Sequence, residues 1–243
     1  MENIKGQTAI ITGASSGIGR ASAYALAREG VNLVLTARRE ERLKKICEDC
    51  EKLGVQAVYY AGDAREEQTA IETVKLAINT FGEIDMLLSN AGIGLSEDFL
   101  DSSMEHYDLL MDSNVRSCYA FLLHTVPVMV KEGGGQIIIT SSVTGMRGHA
   151  KETAYTATKF ANRGLAQSIN EEFRDKGIRV TCLEPSATYT EFEMGKGRTK
   201  EEMDKKAETY LTAEDLAEAV VYCFTRRKGM RIMEMYLAGM QGN

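Results

Sequence analysis

Seven short apolar runs alternate along this chain with stretches of helical periodicity. Gln7–Thr12 is β-branched, and a glycine turn separates it from a helical segment over Gly17–Glu29. Val31–Thr36 precedes a charged helix ending near Lys52, and Val55–Ala61 precedes the helical Glu66–Phe81. Ile84–Ser89 leads into a long helical stretch, Met104–Lys131, with a break. Gln136–Ser141 comes before a helix that starts near Ala154. Ile178–Glu184 leads through a polar loop to a helix over Thr212–Thr225, and Ile232–Leu237 is the last run. Strands that are apolar nearly throughout are buried on both faces, so the sheet is parallel and covered by helices on each side. The expected architecture is α/β: one Rossmann-type doubly wound parallel sheet of about seven strands, with helices on both faces. The two prolines, Pro127 and Pro185, sit in no low-complexity linker, so residues 1–243 read as a single domain.

Composition removes several function classes. A net charge of −6 argues against a nucleic-acid surface, which needs a basic excess. The apolar runs fall far short of the roughly 20 residues of a membrane span. The opening Met1-Glu2-Asn3-Ile4-Lys5 lacks the pattern of a signal peptide. The cysteines, Cys47, Cys50, Cys118, Cys182 and Cys223, are odd in number and scattered, which fits a reducing cytoplasm rather than a disulfide framework. Cys47 and Cys50 form a C-x-x-C, but no second Cys/His pair completes a zinc set, so they read as helix residues and no metal site is expected.

Doubly wound sheets bind ligands at the carboxyl ends of their strands, near the switch in strand order. The unusual residues of this chain gather there. Gly13 follows the first strand, Asp63 the third, Asn90-Ala91-Gly92 the fourth, Ser142 the fifth and Pro185 the sixth. Thr12-Gly13-Ala14-Ser15-Ser16-Gly17-Ile18-Gly19 joins the first strand to the first helix. Its glycines permit a tight turn and a close approach of backbone N–H groups, and the helix N-terminus favours a pyrophosphate.

Tyr155 and Lys159 stand at i and i+4 and share a helix face. A phenol ionises near pH ~10 in water. A unit positive charge about 4 Å away, at an effective dielectric of 20, is worth roughly 4 kcal/mol and would lower that value by up to about 3 units. A tyrosine so tuned exchanges a proton near neutral pH. Ser142, at the end of the fifth strand, is placed to donate a hydrogen bond to a developing alkoxide.

Together these pieces resemble the short-chain dehydrogenase/reductase family over essentially the whole chain. The Thr12–Gly19 turn, Asp63-Ala64, Asn90-Ala91-Gly92, Asn114, Ser142, Tyr155 and Lys159 follow in the expected order. The resemblance implies a catalytic tetrad of Asn114, Ser142, Tyr155 and Lys159. Tyr155 would be the acid/base and Ser142 would polarise the carbonyl. Lys159 would lower the tyrosine pKa and bind the nicotinamide ribose, and Asn114 would hold a water linking Lys159 to solvent. On the cofactor side it implies Gly13, Ser15, Ser16, Gly17, Ile18 and Gly19 at the phosphates. Asp63 would meet the adenine with Ala64 beside it, and Asn90, Ala91 and Gly92 would lie along the central sheet. Pro185 and Ser186 would lie toward the nicotinamide, and Thr188 and Thr190 are candidate hydroxyl partners for the carboxamide or the pyrophosphate. Two departures stand out. Ser89-Asn90-Ala91-Gly92 replaces the usual Asn-Asn-Ala-Gly, and Pro185-Ser186 replaces Pro-Gly, where a serine side chain is expected to alter the carboxamide contacts.

The second strand ends Leu35-Thr36-Ala37-Arg38-Arg39, without the acid that would meet the ribose hydroxyls of NAD. Arg38 and Arg39 suit a 2′-phosphate, so NADP(H) is the expected cofactor. The loop Glu191–Tyr210 is similar to that of the 3-hydroxy acid and serine dehydrogenase branch. It implies a small alcohol or ketone substrate, best read as a 3-hydroxy acid. Arg147 is a candidate for its carboxylate, in competition with Lys196, Arg198 and Lys200. A hydroxysteroid dehydrogenase of bile acid type is the alternative, and a catalytically silent NADP-sensing protein is a more distant one. The family further implies a homotetramer or homodimer.

Overall fold

The computed structural model describes residues 2–240; residue 1 and residues 241–243, the ends of the expected domain, lie outside it. Each apolar run forms a strand: β1 (Thr8–Thr12), β2 (Asn32–Ala37), β3 (Ala57–Ala61), β4 (Met86–Ser89), β5 (Gly135–Thr140), β6 (Ile178–Pro185) and β7 (Glu234–Leu237). They make one sheet in the order β3-β2-β1-β4-β5-β6-β7, and every neighbouring pair is parallel. The winding reverses between β1 and β4, as a doubly wound sheet requires.

Alternate strand residues point to opposite faces, and both faces are buried. Ile11, Leu33 and Leu35 join α1 (Gly17–Arg28), α2 (Glu40–Glu51) and a late helix over Ala213–Phe224 in one core layer. Ile10, Val34, Leu87, Ile137 and Ile139 join α3 (Glu67–Phe81) and two helices from the middle of the chain in the other. Completely burying one such aliphatic side chain contributes roughly 1.5–3 kcal/mol, so the two layers fix the register of each strand.

The expected break in Met104–Lys131 is a π-turn. α4 (Met104–Met111) passes through it at Asp112–Arg116 into α5 (Ser117–Lys131). α6 (Thr153–Phe173) then carries the tyrosine and lysine. The stretch Glu191–Tyr210 departs from its sequence reading as a polar loop, because it holds two short helices, α7 (Glu191–Gly195) and α8 (Lys200–Asp204). A capping box stabilises α8: the Thr199 hydroxyl accepts from Glu202 N–H while the Glu202 carboxylate accepts from Thr199 N–H. The same device, Thr212 with Asp215, starts α9 (Ala213–Phe224). All five cysteines are buried and free, Cys47 and Cys50 among the core residues of α2. Among the described residues no helix is long and apolar enough to cross a membrane, and none of the groupings of His, Cys, Asp and Glu could hold a metal ion.

The first turn is held by close packing. Gly13 and Gly17 adopt φ values of 65° and 51°, which side chains disfavour. At Gly19 the constraint is space: a Cβ there would stand 2.6 Å from the Gly13 carbonyl oxygen and 2.9 Å from Asn90 Nδ2. Gly19→Ala should therefore destabilise the fold by about 1–3 kcal/mol, the ordinary cost of overpacking. Urea unfolding of the two proteins measures it, and an unchanged midpoint would show that the turn yields freely.

Candidate active site

At the carboxyl ends of the strands a cleft of about 740 Å³ opens along the switch between β1 and β4. That size suits a dinucleotide-scale ligand site. One end is built from the first turn. Gly13, Ser15, Ser16, Gly17 and Ile18 line it, and Gly19 packs beneath. Arg38 and Arg39 line the same end. Arg39 is anchored on the turn, donating from Nε to Ser15 Oγ at 3.0 Å and from a terminal nitrogen to Ser16 Oγ at 2.6 Å. It also pairs with Glu191 at 2.7 Å, as does Arg42 at 2.8 Å. Asp63 and Ala64 line the adjoining wall. Hydrogen bonds from the Arg65 side chain hold the Asp63 carboxyl below the usual carboxylate range.

The middle wall is Asn90, Ala91 and Gly92. Asn90 Nδ2 donates to the Thr12 carbonyl at 3.2 Å, and Thr12 Oγ1 accepts from the N–H groups of Asn90 and Ala91 at 2.9 and 2.8 Å. Asn114 is entirely buried and does not line the cleft. Its amide donates to the Ile93 carbonyl and to Thr158 Oγ1, and its oxygen accepts from Ile93 N–H at 2.7 Å. Pro185, Ser186, Thr188 and Thr190 form the facing wall. The Ser186 hydroxyl accepts from Gly239 N–H at 3.1 Å, so the serine in the glycine position ties down the chain beyond β7.

Ser142, Tyr155 and Lys159 meet at the other end, all buried and all lining the cleft. Lys159 Nζ donates to the Thr140 carbonyl at 2.9 Å and lies 5.5 Å from the Tyr155 ring centroid. The sequence predicts that Lys159 lowers the phenol pKa. Here the phenol is instead pushed above its ordinary value, first by burial and then by the Glu152 carboxylate, with the Ser142 hydroxyl working against them. The reason is burial: a phenolate here would lose its hydration, and the Lys159 ammonium is engaged by the Thr140 carbonyl. Burial also brings the Lys159 ammonium down to about 8.

Arg147 is not brought to the site. Gly145 packs tightly, where a Cβ would meet Ser141 Oγ at 2.4 Å and the Lys159 carbonyl at 2.9 Å. The chain then turns outward, leaving Arg147 exposed and outside the cleft lining. Lys200 is likewise exposed on α8 and paired with Asp204. Lys196 and Arg198 do line the cleft, together with Glu152, Phe192, Glu193 and His149. Glu152 pairs with Lys196 and Glu193 with Arg198. The acids carried no sequence signal beyond their nearness to Tyr155 and their place in a charged loop.

A family model of short chain dehydrogenases matches residues 7–201. The chain belongs to the short-chain dehydrogenase family. An uncharacterized oxidoreductase of Staphylococcus epidermidis is 32% identical over 235 residues, covering 97% of this chain and 98% of its own. Two solved structures are similar over 98% of both chains. One is an alcohol dehydrogenase from the archaeon Thermococcus sibiricus complexed with 5-hydroxy-NADP, at 30% identity and TM-score 0.89. The other is the L-sorbose reductase of Gluconobacter frateurii complexed with NADPH and L-sorbose, at 27% identity and TM-score 0.89. This short-chain dehydrogenase is thus an oxidoreductase with the seven-stranded parallel sheet of its relatives.

The buried lysine makes stability depend on pH. Lys159 titrates near about 8 in the fold, below the ordinary lysine value of 10.5. Between those values the unfolded chain holds the extra proton, so this group's contribution to stability rises with pH across the window. From about pH 8 to about pH 10 the wild type should gain about 1–3 kcal/mol relative to Lys159→Met. Urea unfolding at several pH values measures the difference, and a flat one would place the ammonium in a solvated environment.

Proposed function

We propose that this protein is an NADP(H)-dependent oxidoreductase that interconverts a secondary alcohol and a ketone by hydride transfer. Its substrate on this reading is a small 3-hydroxy acid or a related polar carbonyl compound. One observation carries the proposal: Ser142, Tyr155 and Lys159 line the same continuous cleft as the glycine turn and the arginines after β2.

The residues fit the cofactor. Gly13 and Gly17 hold the backbone of the turn in the left-handed region, where N–H groups at a helix N-terminus favour phosphate. Arg38 and Arg39 offer guanidinium groups to a 2′-phosphate, Arg39 already fixed by Ser15 and Ser16. The NADP-type ligands bound by the two similar structures support the same choice. When bound, the cofactor supplies or receives the hydride. Tyr155 gives the carbonyl oxygen its proton in reduction and takes it back in oxidation. Ser142 orients that oxygen and stabilises charge developing on it. Lys159 would hold the nicotinamide ribose and contribute positive charge beside the phenol. The water relay expected at Asn114 would use the backbone of the π-turn, because the side-chain amide is engaged by Ile93 and Thr158.

The substrate end favours a polar molecule. Glu152, Glu193, Lys196 and Arg198 would meet a steroid with four charges, an unfavourable match for a bulky apolar ligand. Arg198 takes over from Arg147 as the more accessible cation for a carboxylate, since Lys196 is buried against Glu152. Exposed Tyr119 and Leu123 on α5 and Tyr236 on β7 suit the expected second copy of the chain.

A panel of ketones and 3-hydroxy acids assayed with NADPH and NADH tests the reading, and absence of turnover on every member would overturn it. Tyr155→Phe should lower turnover at least ~10²-fold with nearly unchanged NADPH affinity; unaltered turnover would remove Tyr155 as the acid/base. Arg38→Ala should weaken NADPH binding roughly ten- to hundredfold, as expected for one charge-assisted hydrogen bond, and spare NADH. Equal use of both cofactors by the wild type would refute the NADP assignment.

A further inference from the structure

Two ammonium groups face the Tyr155 ring, and the sequence motif accounts for only one. Lys159 Nζ lies 5.5 Å from the ring centroid, and Lys196 Nζ lies nearer, at 4.8 Å. Lys196 follows α7, an element separate from the α6 that carries Tyr155. Its side chain is 7% exposed, and its partner Glu152 is 11% exposed. Gly94 makes room for it: a Cβ there would stand 2.5 Å from Lys196 Cγ and 2.9 Å from the Phe192 ring. Phe192 in turn packs on Tyr155, with ring centroids 5.9 Å apart.

A buried ion pair is a poor way to gain stability, because desolvating both ions offsets most of their attraction. Its location suggests another use. Glu152 sits at the N-cap of α6, three residues before Tyr155, where its charge opposes ionisation of the phenol. The Lys196 ammonium has the opposite sign and lies against both. Other polar groups line the cleft around the phenol, from each neighbouring element. Lys159 stands on α6, and the Ser142 hydroxyl lies beyond β5. Glu193 comes from α7, and Arg198 pairs with it. His149 precedes α6, and His106 across the cleft is bound to Glu97 at 2.7 Å.

We propose that Lys196 is a positioning residue for the reaction, which neutralises Glu152 and thereby holds the Tyr155 phenol at a proton affinity that lets it exchange a proton with substrate. The segment bordering the substrate then also sets the acid/base group. This rests on Tyr155 being that group.

The test is the pH dependence of kcat for alcohol oxidation on a substrate found in the panel, where turnover rises as Tyr155 deprotonates. Wild type is compared with Lys196→Met, Lys196→Arg, Glu152→Gln and the double variant Glu152→Gln/Lys196→Met. Lys196→Met should move the rising limb up by about 1 unit and Glu152→Gln down by about 1 unit, the usual effect of a unit charge at this range. The double variant should return close to the wild-type limb, and Lys196→Arg should keep it. Glu152→Gln retains a hydrogen-bond acceptor for Lys196, so it carries the test even where Lys196→Met fails to fold. An unmoved limb in the single variants, or shifts of the same sign, would overturn the inference. So would a raised KM confined to acidic substrates without a shifted limb, which would make Lys196 a substrate ligand. Full turnover by Tyr155→Phe would instead defeat the underlying assignment, whereas an inactive Tyr155→Phe beside unmoved charge variants would defeat only the role of Lys196.

Discussion

One hydroxyl joins the two halves of this sheet where its winding reverses. Thr12 Oγ1 accepts from the N–H groups of both Asn90 and Ala91, just past the ends of β1 and β4. Parallel strands diverge there into loops running to opposite sides, and a crevice opens between them. Without a tie at that point the backbone groups of the fourth-strand turn would lie partly buried and unpaired. With it, Asn90 and the first glycine turn are held close, down to the missing Cβ of Gly19. The cleft inherits its shape from this junction, and the residues lining it arrive from loops that the junction fixes.

The sheet was legible because burial on both faces leaves a plain mark: Ile137, Ile138 and Ile139 in a row admit little besides a strand covered by helices. The first turn and the Tyr155–Lys159 spacing were legible because backbone conformation and helix geometry fix them locally. What escaped depends on which side chains meet across the fold. Lys196 and Glu152 lie on separate elements, and their pairing depends on the space left by Gly94. Arg147 was a candidate for the substrate carboxylate, yet Gly145 beside it is needed for close packing on α6, and the chain beyond it turns outward. The loop after β6 read as polar and irregular, since helices of five residues are too short to show a periodicity, and only α8 carries a side-chain cap.

The site is electrostatically dense. Lys159, Lys196 and Arg198 share the cleft with Glu152 and Glu193 around one phenol, the side chains of all but Arg198 largely out of water. In such surroundings the proton affinity of Tyr155 is set by several neighbours at once, with burial the largest. Burial and Glu152 push it upward and Ser142 pulls it down. A tyrosine–lysine pair read from spacing alone misses this, because it assigns one neighbour the work of several.

The five cysteines carry a practical consequence. Each is buried, and burial pushes the thiols of Cys47, Cys50 and Cys182 up to about 12 and those of Cys118 and Cys223 up to about 11. The nucleophile in alkylation is the thiolate, so the native molecule is nearly inert to an alkylating reagent. Because the thiols are distributed between both helical layers and one strand, β6, the order in which they become labelled would record which part of the molecule opens first. The chain thus carries its own set of internal reporters for local unfolding, with no cysteine to introduce.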